Sequence, residues 1–484
     1  MNMKRKLTII LAVLVAIAAV IVGVRIRFNE PLPKGSQDEQ VKAILERSDC
    51  LVCHSQEPSL PFYAKFPVIG PMMNGHITAG YRFLDLGSEL ENADGMSEAA
   101  LSKLEHAVTY STMPIHEYRM IHWTSGLNKA EKELLSSWIV EKQSCEQMIQ
   151  PIASRVEYDE AKAELGERMF NDTALSLDGT ISCATCHVLE DGGADHEDER
   201  VSEGIYGLKG GVNAPTVYNA EYNLRQFWNG RAADLAEQAA GPITNPVEMG
   251  TQTLENVVER LMADKALVSE FAMLYPGEGL TGETLCHAIA EFERTLITPD
   301  SRFDRYLRGD ESALSELEKK GWEEFQENSC ASCHFGAALG GRNFEYVDVH
   351  GDYFADRDPA IEYNADDEGL KGFSLRDEDL HKFKVPFLRN IDLTAPYFHD
   401  GSMQTLEDAV RAMAKYELGK KLSKASLSPL LPSCTPSPVS IRTSRFPLSS
   451  FVGFCPLCRR QAVPFRTVSL RSTPPLRRSR VVPP

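Results

Sequence analysis

The sequence predicts a mainly α-helical chain in three domains behind one N-terminal membrane-spanning helix, and three observations predict it. An apolar run, Leu7–Val24, follows Lys4, Arg5 and Lys6, with Thr8 its one polar side chain. The pattern Cys-x-x-Cys-His occurs three times, at Cys50–His54, Cys183–His187 and Cys330–His334. Apolar residues recur at helical spacing, and no stretch of any length alternates as a half-buried strand does.

Residues 1–6 carry the positive charge expected on the cytoplasmic side, and residues 7–24 form the anchor. Their length is close to what a bilayer requires. No small-residue cleavage site follows, so the segment reads as an uncleaved anchor rather than a signal peptide. This puts the protein on the inner membrane with its body in the periplasm. Residues 25–40, with Pro31 and Pro33, are a linker.

Residues 41–150 form the first domain. A polar helix leads into Cys50, and Lys129–Lys142 places Leu134, Leu135, Trp138 and Ile139 on one helical face. Residues 155–308 form the second domain and 309–425 the third. Gly166-x-x-x-Phe170 precedes Cys183, and Gly321-x-x-x-Phe325 precedes Cys330. In this internal repeat a glycine admits a closely crossing helix and the ring packs beside the motif. Residues 426–484 differ in kind: eleven prolines, nine arginines and no Asp, Glu or Lys. Pro429, Pro432, Pro436 and Pro438 forbid a continuous helix. This tail reads as a disordered, frameshift-like end.

The net charge of −18 excludes a nucleic-acid partner, which needs a basic face. Six of the eleven cysteines lie in the three motifs. Cys145 and Cys286, in the body of the chain, read as small buried hydrophobes. Cys-x-x-Cys-His reads as c-type haem attachment: two thiols add to the haem and the adjacent histidine reaches the iron. A single copy fits a zinc site or a redox dithiol equally well. Three copies imply three covalent haems, on Cys50, Cys53 and His54, on Cys183, Cys186 and His187, and on Cys330, Cys333 and His334.

The first domain resembles the small class I cytochromes c, as do the haem domains that follow. That likeness implies a sixth iron ligand from Met113, in Ser111-Thr-Met113-Pro114, with Met72, Met73 and His76 as rivals. Tyr158–Ala425 resembles the bacterial di-haem cytochrome c peroxidases. The likeness rests on Cys183–His187, Asn213-Ala-Pro-Thr, Phe227-Trp228-Asn-Gly-Arg231, Gln238, Asn245-Pro-Val-Glu248-Met, Cys330–His334, Val385-Pro-Phe-Leu-Arg-Asn and Thr394-Ala-Pro396-Tyr-Phe-His-Asp-Gly. With the added domain and the anchor, the chain resembles the three-haem, membrane-attached branch, which includes quinol-oxidising members.

The resemblance implies an enzyme that reduces hydrogen peroxide to water. Glu248 would be its acid–base group and Gln238 would hold the peroxide. Trp228 would lie between two haems, and Met413 would ligate the iron at His334. Asn213, Thr394 and Pro396 would hold a calcium ion. The electron donor would be a membrane quinol, a small cytochrome c or a copper protein, and the chain could form oligomers. Many relatives place a distal histidine after the peroxidatic motif. Aligned on Ser202-x-Gly204, that position holds Ile205, while His196 and Tyr206 do not fit it. The peroxidatic site is therefore expected to be open. A non-enzymatic haem relay would need neither Gln238 nor Glu248. The related oxygenases that modify a partner's tryptophans carry a tyrosine where Met413 stands.

Overall fold

The computed structural model describes residues 3–58, 60–67, 69–143, 148–195 and 200–422, with side chains in the first helix from Ala12 onward. Cys145, His196 and the tail 426–484 lie outside the described residues. Among those described, helices dominate. The one two-stranded sheet pairs Phe344–Tyr346 antiparallel with Lys382–Lys384, Phe344 facing Lys384.

The expected membrane anchor is corrected by the structure. Met3–Phe28 is helical, but among the described residues no helix is long and apolar enough to cross a membrane. The C-terminal end of this helix belongs to the folded body. Gly23 lies against the Trp123 ring. Arg27 is buried, its guanidinium 3.0 Å from Glu131 and 3.3 Å from Ser48 Oγ, and Arg47 pairs with the same carboxylate. A charge buried in such a network holds the helix end down, because pulling it away would strand Glu131, which is fully buried. The inner-membrane placement inferred from the anchor falls with it.

The first segment packs three helices, Gln37–Arg47, Glu98–Tyr110 and Lys129–Lys142, around Val41, Ile44, Leu45, Leu101, Leu104, Leu135, Trp138 and Ile139. Asn128 caps the last helix with Glu131 in a reciprocal capping box, so its start is fixed locally. In the middle segment, Glu160–Phe170 crosses Gly282–Thr295 at Gly166. A Cβ there would sit 1.8 Å from Ala288 O, so only glycine allows this approach. Phe170 meets Phe292 edge-on at 5.2 Å. In the third segment, Glu316–Glu327 leads into the turn at Cys330, and Phe325 lies 6.5 Å from the His334 ring.

The first and third segments share a polar seam. Ser102 Oγ donates to Ala331 O inside the third motif, at 3.3 Å. Lys103, buried, pairs with Glu345 at 2.6 Å. Arg342 pairs with Glu98 at 2.8 Å and Arg82 with Asp348 at 3.1 Å.

Candidate active site and haem-binding motifs

Each Cys-x-x-Cys-His forms a single tight turn whose histidine N–H bonds back to the carbonyl of the first cysteine. Among the described residues the six motif cysteines form no disulfide. Each histidine anchors one ring nitrogen on a backbone carbonyl: His54 Nδ1 on Leu84 O at 3.0 Å, His187 on Gly193 O at 3.2 Å, His334 on Leu339 O at 3.2 Å. A carbonyl can only accept, so Nδ1 carries the proton and Nε2 keeps its lone pair. Burial also pushes all three imidazoles below their ordinary range, His334 to about 4. Neutral, oriented rings beside paired thiols are the donor set that covalent haem requires.

Near the second motif, the helix Leu235–Thr244 starts from the Asp234 cap and carries Gln238, half-buried. The turn closing that helix positions Glu248. Asn245, its C-cap, donates from Nδ2 to Glu248 Oε1 at 2.7 Å. Burial pushes the Glu248 carboxyl above its ordinary range; the Arg231 guanidinium opposes this and the Asp366 carboxylate reinforces it. Arg231 itself lies over the Phe227 ring, 3.4 Å from its centre. The segment after His187 closes on the same place. Ile205 N–H donates to Glu248 O at 2.9 Å, and its side chain is fully buried. Gly204 has no room for a Cβ, which would lie 2.1 Å from Val247 O. Tyr206 points outward, 71% exposed.

Trp228 and Met413 fall in one apolar cluster with Val347, Tyr353, Phe383, Ala412 and Tyr416. Trp228 Nε1 donates to Asn213 O at 2.8 Å. Asn213 is buried, and its side-chain amide reaches Pro396 O and Phe398 O. With the amide oxygen turned inward, one amide and two carbonyls would face a common point, an oxygen set that suits a hard cation. Thr394 Oγ1 donates elsewhere, to Ile391 O at 3.1 Å. In the first segment, Met113 and Met72 are exposed, His76 is half-buried and Met73 is buried.

The sequence reading missed two features. Arg357 bridges Asp367 (2.8 Å) and Asp400 (3.1 Å), all three nearly inaccessible. Asp367 also holds His399 Nε2 at 2.8 Å, and Tyr353 donates to Asp400. His399 stacks on Phe383 at 4.0 Å. Asp367, His399 and Asp400 could together ligate a metal, but the Arg357 guanidinium already pairs with both carboxylates. Only the fold assembles these residues, so no spacing could reveal them. The second feature is Glu293, buried with one carboxylate oxygen unpaired and its acidity pushed to about 8 by burial. Its place four residues after Ile289, on the apolar face of Gly282–Thr295, is the one sequence signal that could have marked it.

These motifs and their surroundings define a multi-haem c-type oxidoreductase. A model of the di-haem cytochrome c peroxidases matches residues 160–312, and a model of a haem-binding domain matches residues 15–141. The chain is 38% identical to cytochrome c peroxidase Ccp of Escherichia coli over 412 residues, 82% of this chain and 87% of that one. It is 40% identical to cytochrome c551 peroxidase of Nitrosomonas europaea over 284 residues, 58% of this chain and 81% of that one. Among solved structures, a MauG-like protein associated with microbial copper homeostasis aligns with a TM-score of 0.50 and 28% identity, covering 60% of this chain and 94% of that one. The chain belongs to the di-haem cytochrome c peroxidase family. It is a peroxidase with c-type haem, acting on hydrogen peroxide with electrons from a donor.

Proposed function

We propose that this peroxidase carries three haems, one on each motif. Electrons enter at the His54 site, pass to the His334 site and are used at the His187 site. Three identical donor sets support the count. The match to the Escherichia coli relative supports it too, being long enough to take in part of the chain ahead of Tyr158. The seam joining Glu98–Tyr110 to the third motif supports the order of transfer.

Bound haem supplies the iron that holds peroxide and the electrons that break its O–O bond. The chain supplies the proton chemistry. Glu248, as carboxylate, takes a proton from one peroxide oxygen and returns it to the other, so that the departing oxygen leaves as water. Gln238 holds the peroxide by hydrogen bonds. Asn245 fixes the carboxylate, and Arg231 favours its charged form against the pull of burial. The observation that carries the reading is this oriented, half-buried Glu248, which a pure relay would not need. Ile205, with no ligating atom in the distal position, leaves the His187 site open.

Met113 and Met413 are proposed as sixth ligands, Trp228 as the residue between the His334 and His187 sites, and Asn213, Thr394 and Pro396 as calcium ligands. The donor is a quinol or a small redox protein; several relatives are named for a cytochrome c donor. Steady-state peroxide reduction by Glu248→Gln, with haem content measured alongside, tests the assignment. Loss of most turnover at full haem content is expected, and near-wild-type turnover would refute it.

A further inference from the structure

One ion pair in the seam between the first and third segments differs from the others there. Lys103 and Glu345 lie 2.6 Å apart, their side chains only 5% and 14% exposed, whereas Arg342 and Glu98 are 39% and 31% exposed. Lys103 comes from the helix Glu98–Tyr110 of the first segment, and Glu345 from the strand Phe344–Tyr346 of the third. Peroxide chemistry at Glu248 uses neither.

The pair is held from both sides. Lys103 Nζ also donates to Phe83 O at 2.6 Å, and the next residue, Leu84, carries the carbonyl that holds the His54 ring. Ser102, beside Lys103 in the chain, donates to Ala331 O inside the third motif. Glu345 Oε1 accepts a second hydrogen bond from Asn343 Nδ2 at 2.7 Å. Burial works against the Lys103 charge, but Glu345 opposes it and the ammonium is held above its ordinary range. The cation is thus fixed on the backbone that carries His54, and the anion on the third segment.

The two ends of the pair act unequally on the two motifs. At His54, burial and two backbone hydrogen bonds act first, and Lys103 is the charge that follows. At Cys333, burial acts first and Glu345 next, with Lys103 opposing it. Glu417 of the third segment also bears on Cys333, so any charge it carries falls on the Glu345 side. Salt screens a buried pair little. A nearby cation favours the electron-rich state of an iron, and a nearby anion the electron-poor state.

We propose that the Lys103–Glu345 pair sets the electron balance between the first and third sites, favouring the electron at the His54 site and making the His334 site the readier donor. This rests on the three-haem reading above. The entry site then accepts an electron easily, and the relay site gives one up easily to the His187 site. The step between them becomes less downhill.

The test is a potentiometric titration of the full holoenzyme, with the ferric haems told apart by electron paramagnetic resonance. It reads the ratio of ferrous iron at the His54 site to ferrous iron at the His334 site when half of the two together is reduced. The double variant Lys103→Met, Glu345→Gln removes both charges and strands neither; its ratio should fall at least about threefold. Lys103→Arg keeps the charge and should keep the wild-type ratio. Arg342→Gln with Glu98→Gln cuts the same seam at its exposed pair and should also leave the ratio unchanged. An unchanged ratio in the Lys103 and Glu345 double variant, or an equal fall in the Arg342 and Glu98 one, would overturn the proposal. If the first double variant fails to fold, Lys103→Met and Glu345→Gln singly decide: each removes one end of the pair and should lower the ratio, and no change in either would overturn it. A wild-type haem count of two would refute the three-haem reading and this proposal with it, whereas a count of three with unchanged ratios refutes this proposal alone.

Discussion

Two sets of buried charges in this molecule, the Arg357 network and the carboxyls Glu248 and Glu293, are built in opposite ways. In the Arg357 network every buried charge is matched: Arg357 answers Asp367 and Asp400, and Asp367 also holds His399. Aromatic rings fill the remaining space. Glu248 and Glu293 are instead pushed by burial above the ordinary carboxyl range, and Glu293 has an oxygen with no partner. A satisfied, packed surround reorganises little when an electron passes. Carboxylates poised between charge states can exchange protons.

The sharpest way to break this contrast is at Glu248. Glu248→Gln should cut turnover by about 10²–10⁴-fold, the range expected for losing a positioned acid–base group. The wild-type kcat/KM should also fall on the acid side at a higher pH than an ordinary carboxylate would give. The base must be ionised and its acidity is weakened by burial, so protonation silences it early. The variant's profile should lack that limb.

Arg357→Ala attacks the matched side. Removing Arg357 leaves the buried Asp367 to His399 and the buried Asp400 without its guanidinium, at a cost of about 3–5 kcal/mol. Urea unfolding followed by the absorbance of the haem at His334 measures it. A change below ~1 kcal/mol would show that the network adds little, as a solvent-exposed pair does.

Glu293→Gln probes the unmatched side. Glu293 holds its proton more tightly folded than unfolded, since burial raises it from 4.5 to about 8. Its contribution is therefore fully present below about pH 4.5 and declines as pH rises to 8. The glutamine variant cannot ionise. It should match wild type near pH 5 and exceed it by about 1–3 kcal/mol at pH 9, read from unfolding midpoints at the two pH values.

Met413→His makes the smallest change, moving a potential rather than stability or turnover. A second imidazole favours ferric iron more than a thioether does, so the potential at the His334 site should drop in a redox titration. An unchanged potential would mean that Met413 is only part of the apolar cluster.

The sequence by itself determined what is covalent or local. Cys-x-x-Cys-His needs only five consecutive residues, and the helix at Lys129–Lys142 follows from its spacing and the Asn128 cap. Gly166 and Phe170 declared a close crossing because only a residue without Cβ can lie so near Ala288. Asn245 and Glu248 were legible as a pair for the same reason, being three residues apart on one turn. The fate of the Leu7–Val24 run was not legible. Apolar spacing states what a segment avoids, and cannot say that Arg27 will be buried against Glu131, 104 residues away. The Arg357 network is of the same kind: its charges come from three separate stretches and become partners only where the chain folds back. Burial, and with it the acidity of Glu248 and Glu293, is a property of neighbours, so tertiary structure alone decided which carboxylates were paired and which were left able to hold a proton.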